Sequence, residues 1–553
     1  MIKRTKKVWK RRLGYALGFF GLAWVGVATT MTDDFEIAKN LEIYSNLYRE
    51  LNTYYVGDID SKKLMESGMK AMLSSLDPYT TYIPAEEVAR FKSFLSGNYG
   101  GVGAFVTRRS DYVEIVEVHR GGAAAESGLR AGDLVLAADG QSMKGKSIQE
   151  LVTIMRGIPG TEVNVEVERA GKRIQSVLTR KEIQVPSVPY KALLDSDIAY
   201  IVLSSFSEKS AQELANALSD FKRETKITGV ILDLRGNLGG LLSQAIEVAN
   251  VFLNKGEMIV QVKGKNKAEN QALYTTNIPV DAEVPLVVLI DSHSASASEI
   301  VAGAIQDLDR GVILGSRSFG KGLVQSTRDL SHGAKLKLTV ARYYVPSGRC
   351  IQSSKYQDGK PVQLVDSLQV AFKTKAGRTV YGGGGILPDV ESEWLSFKAV
   401  ENSLTEQFLL FDFATQYHLQ HDTIDAPEVF QLKDEDFEDF IAFIKNKEYN
   451  FSTDTESALK FLSSTAKKEA YAVAIKDEMA ELDRLMDDHK ERLLRRYKER
   501  ILQLLQKEIT RRYYFREGGI NNNMRMDKDI QKARELIRNR TDYQKILQQK
   551  DEK

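Results

Sequence analysis

Pro285-Leu286-Val287-Val288-Leu289-Ile290 runs into Asp291-Ser292-His293-Ser294-Ala295-Ser296-Ala297-Ser298-Glu299, and Ile300, Val301, Ala304 and Ile305 follow at helical spacing. An unbroken apolar run of strand length, then small hydroxyl residues, then a helical pattern reads as a buried strand feeding a helix through a tight loop. A second apolar run, Val312-Ile313-Leu314, leads to Phe319-Gly320-Lys321-Gly322-Leu323-Val324-Gln325. The start of a helix favours developing negative charge and has N–H groups to donate, so a hydroxyl there is well placed as a nucleophile. Three hydroxyls (Ser294, Ser296, Ser298), His293 and Lys321 compete for that chemistry.

The same grammar extends outward. Ala199–Leu203 is a strand, Ser210 to Thr225 a helix with Leu214, Ala217, Leu218 and Phe221 inward, and Gly229–Leu234 a buried strand. Arg235-Gly236-Asn237-Leu238-Gly239-Gly240 breaks that strand, and Leu241 to Phe252 returns to helix. Met258–Val262 and Pro285–Ile290 add strands, and such alternation predicts a mostly parallel sheet. Lys335–Ala341 alternates charged and apolar residues, as a strand with one wet face does, and Gly382–Val390 marks the end of this region. Two loops rich in glycine and small residues, 235–240 and 292–298, then share the carboxyl edge of the sheet, the usual place for a site.

The chain has 553 residues, too many for one ordinary core. Its net charge of +2 gives no general call for nucleic acid. One cysteine, Cys350, excludes an intramolecular disulfide, and its place near a turn suits packing. The six histidines show no metal-ligand spacing, so no metal is expected. A basic block (Lys3 to Arg12) precedes the apolar run Leu13–Val27, the layout of an export signal or of an uncleaved N-terminal anchor in the inner membrane. The rest of the chain is then periplasmic or otherwise exported. Segments 35–96 read as helices, with Leu76-Asp77-Pro78-Tyr79 ending the second one. Beyond 395 the chain is charged and helical, with the stripe Leu482, Leu485, Leu493, Tyr497, Ile501 and Leu504. Gly518 to Asn523 is expected to interrupt that helix and the last residues, from Gln548, to fray.

Residues 97–182 alternate short strands with glycine turns and one helical face (Ile148, Leu151, Val152, Met155). This order resembles a PDZ domain of the bacterial, circularly permuted kind. A tail carboxylate needs several N–H groups aimed at one point, and Gly101-Val102-Gly103-Ala104 is the loop suited to supply them. The tail would add beside Phe105-Val106 and rest on Leu151 and Met155. Glycines 97, 100 and 101 are expected to form a flexible junction.

Amide hydrolysis needs a nucleophile, a base and oxyanion donors. His293 lies three residues before Ser296 with no evident orienting aspartate, whereas Lys321 sits between glycines with no acid in its loop. Burial without a counter-ion favours the neutral amine a lysine base requires, and neutral Gln325 can orient it without restoring the charge. A surface lysine in a glycine turn is the plain alternative.

Ser294–Glu299 followed by Phe319–Gln325, together with Asp233–Gly240 and Leu76–Tyr79, resembles the signature of the carboxy-terminal processing peptidases, also called tail-specific proteases. The likeness covers roughly 35–392. It implies Ser296 as nucleophile, Lys321 as base and Gln325 as its orienter. The oxyanion donors would be the N–H of Ala297 and of Gly239 or Gly240, and no cofactor is implied. The family fold implies a multidomain α/β protein: a leader (1–30), a helical N-terminal region (35–96), a PDZ domain (97–182), a crotonase-like serine peptidase core (183–392) and a charged helical C-terminal region (395–553). The expected activity is exported serine endopeptidase, acting on protein or peptide C-termini as a homo-oligomer. The C-terminal region would pack on the core, assemble subunits or bind an adaptor protein. A non-catalytic PDZ scaffold or holdase on a degenerate protease core is the competing reading.

Overall fold

The computed structural model describes residues 34–363, 370–392, 398–447, 449 and 454–548. The expected leader and the end of the chain beyond 548 lie outside them. No helix among the described residues is long and apolar enough to cross a membrane. The described residues divide into two compact units, 34–82 with 357–360, and the remainder.

In the first unit a helix over 34–54 (α1) lies against Ser61–Ser74 (α2). The Asp60 carboxylate accepts the Lys63 N–H at 3.0 Å and so caps α2, while the Tyr48 hydroxyl donates to the Ser61 carbonyl. Phe35, Ile37, Leu41 and Leu47 are exposed on α1. Asp77 accepts the N–H groups of Tyr79 and Thr80, a local turn that accounts for the chain reversal at Pro78.

The second unit opens with α3 (Ala85–Ser96) and β1 (Asn98–Gly101). The PDZ sheet follows as β2 (Ala104–Arg109), β3 (Tyr112–Val118) and β4 (Leu134–Ala138), then α4 (Ile148–Met155), β5 (Glu162–Arg169), β6 (Lys172–Thr179) and β7 (Lys181–Gln184). Its spatial order is β2-β3-β4-β5-β6, so β2 is an edge strand. The Ser147–Glu150 capping box starts α4. The glycine junction, expected to be flexible, is built largely as a paired strand. Here β1 pairs antiparallel with β7, and a Cβ on Gly100 would stand 2.1 Å from the Gly157 carbonyl oxygen. Those glycines permit close packing of a two-stranded ribbon rather than free hinging.

The core sheet runs β8 (Tyr190–Leu194), β9 (Ile198–Val202), β10 (Gly229–Asp233), β13 (Leu286–Ile290), β14 (Val312–Gly315) and β17 (Val390–Glu391). All pairings after the first are parallel. Helices α5 (Ser210–Glu224), α6 (Leu242–Asn250) and α7 (Ala297–Asp307) cover one face. Two of the expected strands join a different sheet. β11 (Met258–Gly264) and β16 (Lys335–Tyr344) pair antiparallel with each other, and each takes a second antiparallel neighbour, β12 (Gln271–Tyr274) and β15 (Leu323–Asp329) respectively. Their half-polar faces cannot occupy a sheet buried on both sides.

The C-terminal region comprises α8 (Lys398–Glu406), α9 (Leu409–Gln420), α10 (Asp434–Asn446), α11 (Asp454–Lys468), α12 (Lys476–Arg496), α13 (Lys498–Met526), α14 (Lys528–Arg538) and α15 (Arg540–Gln548). Much of it shares its own core, built on Phe413, Phe437, Phe440, Ile501 and Leu505. The last two helices instead cover the second face of the parallel sheet: Ile530, Leu536, Ile537 and Tyr543 pack on Tyr200, Ile231, Val287 and Leu314. A Cβ on Gly229 would lie 2.4 Å from Ile537 Cγ2, so that strand approaches α14 as closely as glycine permits. The expected break at Gly518 is displaced. Helix α13 breaks at Tyr514 and Phe515 (φ 60°) and continues through the glycines. A Cβ on Gly519 would lie 2.3 Å from Arg511 Cγ, so the glycines let the arm fold tightly against the first part of the helix.

Candidate active site

The loops after β10 and β13 meet because those strands are neighbours in parallel register, Val230 opposite Leu286 through Asp233 opposite Leu289. Two of the three competing serines are committed to holding the loops together. The Ser294 hydroxyl donates to the Leu234 carbonyl and the Ser298 hydroxyl to the Asn237 carbonyl, both at 2.8 Å and fully buried. Ser296, 6% exposed, stands immediately before α7 with φ 58° and ψ −110°. A non-glycine residue held there costs about 1–3 kcal/mol and persists only where its surroundings enforce it.

The enforcement comes from Glu299. Its fully buried carboxylate accepts four hydrogen bonds: Ser296 N–H (2.8 Å) and Lys321 N–H (2.8 Å) on Oε2, and Gly320 N–H (2.7 Å) and the Ser318 hydroxyl (2.5 Å) on Oε1. Burial pushes its pKa above the usual carboxylate value, and the four donors pull it back. One side chain therefore locks the backbone of the candidate nucleophile to the backbone of the candidate base. Phe319 N–H adds a bond to the Ser294 carbonyl at 3.1 Å. The absence of an acid within the 319–325 loop was a correct reading of that segment, but a carboxylate reaches its backbone from α7.

Lys321 is half-buried. Gln325, on β15, donates to the Thr339 hydroxyl at 3.3 Å, next to an irregularity in the β15–β16 register. Gly239 adjoins the nucleophile: a Cβ there would lie 2.9 Å from both Ala297 N and Ser296 Cβ, and its φ is +96°. Its N–H donates to Asn237 Oδ1, while Gly240 packs against the Phe206 backbone instead. His293 has an exposed side chain and, contrary to the sequence expectation, does have an aspartate beside it, Asp291 Oδ2 at 3.8 Å from its Nδ1. Asp291 chiefly accepts N–H groups of Gly236, His293 and Ser294 and so shapes the two loops.

Two participants escaped the sequence reading. Tyr343, 5% exposed on β16, has its phenol beside the Ser296 side chain; burial raises the phenol to about 12 and the serine hydroxyl opposes the rise. Its N–H donates to the Gly322 carbonyl, beside Lys321. The other is Arg235, whose guanidinium pairs with Asp233 and with Asp527 and Asp529 at the start of α14, fastening the 235–240 loop to the C-terminal helices. No sequence signal singles out Tyr343; Arg235 was visible only as a loop residue.

In the PDZ part, β2 offers a free edge for an added strand, and Gly103 (φ +74°) curls the loop before it. Leu151 and Met155, on which the tail is expected to rest, are both buried in the PDZ core with Val113, Ile115 and Val163. The more exposed positions of the same helix, such as Ile148 (38% exposed), face outward. Burial raises the Cys350 thiol, which disfavours a reactive thiolate.

The comparisons with known proteins agree with this architecture. Residues 197–358 match the model of Peptidase family S41, 114–169 a PDZ domain and 400–537 the model described as "Probable PDZ-protease, C-terminal helical domain". The chain is 39% identical over 319 residues to a carboxy-terminal-processing protease of Bartonella bacilliformis, spanning 57% of this chain and 73% of that one. It is 33% identical over 371 residues to the carboxy-terminal processing protease CtpA of Bacillus subtilis, spanning 65% and 78%. The chain belongs to the carboxy-terminal processing protease family. It is thus a serine peptidase with a PDZ domain, and the helical region after 398 matches a domain described for PDZ-proteases. A probable CtpA-like serine protease of Staphylococcus aureus is 31% identical over 383 residues, spanning 66% of this chain and 76% of its own.

Proposed function

We propose that the protein is an exported endopeptidase that captures the C-terminal tails of polypeptides on the edge of β2 and cuts them by a serine–lysine mechanism. The observation that carries this reading is the Glu299 carboxylate, which receives the N–H of Ser296 and of Lys321 on one oxygen. An arrangement that positions two loops by one buried charge is hard to account for in a passive scaffold, since a buried carboxylate is kept only where several donors are built to meet it.

In the proposed reaction the Ser296 Oγ attacks the scissile carbonyl carbon while the neutral Lys321 amine takes the hydroxyl proton. The carbonyl oxygen becomes an oxyanion, received by the Ala297 N–H and an N–H of the Gly239–Gly240 pair. The ammonium of Lys321 returns the proton to the leaving amine as the C–N bond breaks, and water then hydrolyses the Ser296 ester by the same proton route. Gln325 orients the amine, and Tyr343 orients the serine hydroxyl. The basic block and apolar run at 3–27 support export, as a cleaved signal or as an inner-membrane anchor. The exposed apolar residues of α1 support self-association.

The test is cleavage of an unfolded exported protein bearing an apolar tail, with C-termini read by mass spectrometry. Loss of products in both Ser296→Ala and Lys321→Ala supports the mechanism. Persistent cleavage in both defeats it, and a wild-type protein that binds the tail without cutting it favours the scaffold reading.

A further inference from the structure

Helix α13 closes a cavity of about 600 Å³ against the PDZ sheet and the peptidase core. This is within the range of about 300–1,000 Å³ typical of ligand pockets. Its walls join two places that the proposed function uses. Phe105, on the edge strand β2, lines it from the PDZ side, and Gly236 and Asp291, from the two catalytic loops, line it from the core. A polypeptide with its tail on β2 and its scissile bond at Ser296 would have to pass through or alongside this space.

The walls carry five cations and five carboxylates, but these are not matched one to one. Arg500, Lys507 and Arg511 recur along one face of α13, and Arg516 joins them beyond the break. The carboxylates that line the same space are occupied. Glu117 is paired with Arg511, Glu401 with Arg500, and both Asp233 and Asp527 with Arg235, while Asp291 accepts backbone N–H groups. Glu508, next to Lys507 in sequence, is itself taken by Arg511 and Arg512. Lys507 and Arg516 are the surplus: among the described residues neither makes a hydrogen bond or ion pair, although both line the cavity. Burial, then repulsion from Arg511, Arg235 and Arg500, lowers the Lys507 pKa, the reverse of what a paired lysine shows. Burial likewise lowers that of Arg516. Two partly desolvated cations thus line a polar cavity whose lining carboxylates are bonded to other groups, with Glu517 beside Arg516 but outside the lining, and a carboxylate from outside the chain can pair with them directly.

We propose that this cavity is a substrate subsite for an acidic stretch of the polypeptide, lying between the apolar tail held on β2 and the bond cut at Ser296, with Lys507 and Arg516 receiving Asp or Glu side chains. The inference rests on the proposed peptidase reading and adds a charge preference to it. A peptide carboxylate is favoured over a small free anion because the space is long enough to join β2 to the catalytic loops, and because a tethered acid enters at the high local concentration its tail provides.

The experiment uses the full chain and three peptides that share an apolar C-terminal tail and a cleavable segment but carry Asp-Glu, Asn-Gln or Lys-Arg between them. At low ionic strength the acidic peptide should have a KM about tenfold below the amide peptide, with kcat similar, and the gap should narrow as salt screens it. In Lys507→Glu the order should invert toward the Lys-Arg peptide, a reversal that a purely structural lysine would not produce. Binding of the same peptides to the Ser296→Ala protein, followed by fluorescence anisotropy, should show the same ranking without chemistry, so failure of the peptidase reading would leave this arm standing. Equal affinity for the acidic and amide peptides at low salt in the wild-type protein overturns the proposal. So does inhibition of all three peptides alike by inorganic phosphate beyond that of chloride at matched ionic strength, if Lys507→Glu abolishes it, since the cavity then holds a free anion.

Discussion

Tyr343 and Glu299 flank Ser296, the candidate nucleophile, one beside its hydroxyl and the other on its backbone N–H. Removing the phenol leaves the Ser296 rotor undirected without emptying a cavity. Tyr343→Phe should therefore lower kcat about tenfold with KM and Tm nearly unchanged, as steady-state kinetics and calorimetry would show. Glu299 is more demanding. Glutamine has one acceptor oxygen where four donors converge, and its amide would face N–H groups with N–H groups. Glu299→Gln should cost about a hundredfold in kcat through misplacement of the two loops and about 1–3 kcal/mol of stability through unsatisfied donors. A variant that retains wild-type kcat would show that the carboxylate does not position the site.

Among the elements, the strands of the core show how sequence and packing divide the work. β10 and β13 read as buried because their apolar runs are continuous, and they are, as are β9 and β14. Which element covers the second face could not be read from them, and it is α14 and α15, more than two hundred residues further on. Ile537, 2% exposed against Gly229, is central to that contact. Ile537→Ala should destabilise the protein by about 2–4 kcal/mol in denaturant unfolding and lower the midpoint for core and C-terminal helices together. A separate, earlier transition for the helices would show that they are an appended module. Of the expected stripe in the C-terminal region, Ile501 is buried and Leu493, Tyr497 and Leu504 pack beside the same core, but Leu482 and Leu485 are exposed, and the place of the helix break was not legible. Gly518 and Gly519 looked like helix breakers but are there because only hydrogen fits between the two arms of α13.

On the scale of the whole second unit, buried carboxylates tie the C-terminal region to the catalytic core. Burial raises the pKa of Asp527, but Arg235 and Arg500 outweigh it and leave it below 3.8; likewise Arg511 and Arg512 overcome the burial of Glu508 and bring it to about 2. A carboxylate whose folded pKa is depressed contributes stability above its unfolded value, and that contribution is lost as pH falls through the folded value. The protein should therefore lose stability progressively between about pH 4.5 and 2, with Glu508 setting the lower end. Asp527→Asn should remove part of that acid dependence and cost about 1–3 kcal/mol at neutral pH by taking one of the three carboxylates that Arg235 pairs with. Thermal melts from pH 2 to 7 on both proteins test this; identical slopes would mean the pair contributes nothing.

What the sequence determined by itself was everything written in short-range pattern. The apolar runs placed the strands, the small residues and glycines placed the two loops at their carboxyl ends, and the likeness of the short segments around Ser296 and Lys321 to the carboxy-terminal processing peptidases marked the candidate chemistry. These features depend on residues within a few positions of one another, so period and residue type suffice. What only the tertiary structure decided depends on residues far apart in the chain. Ser294 and Ser298 are set apart from Ser296 by carbonyls of Leu234 and Asn237, some sixty positions away. Tyr343 reaches Ser296 from a second sheet, and Arg235 finds its acids on α14. Each such pairing arises because a buried polar group must find a partner wherever the fold supplies one, and no local periodicity records where that will be.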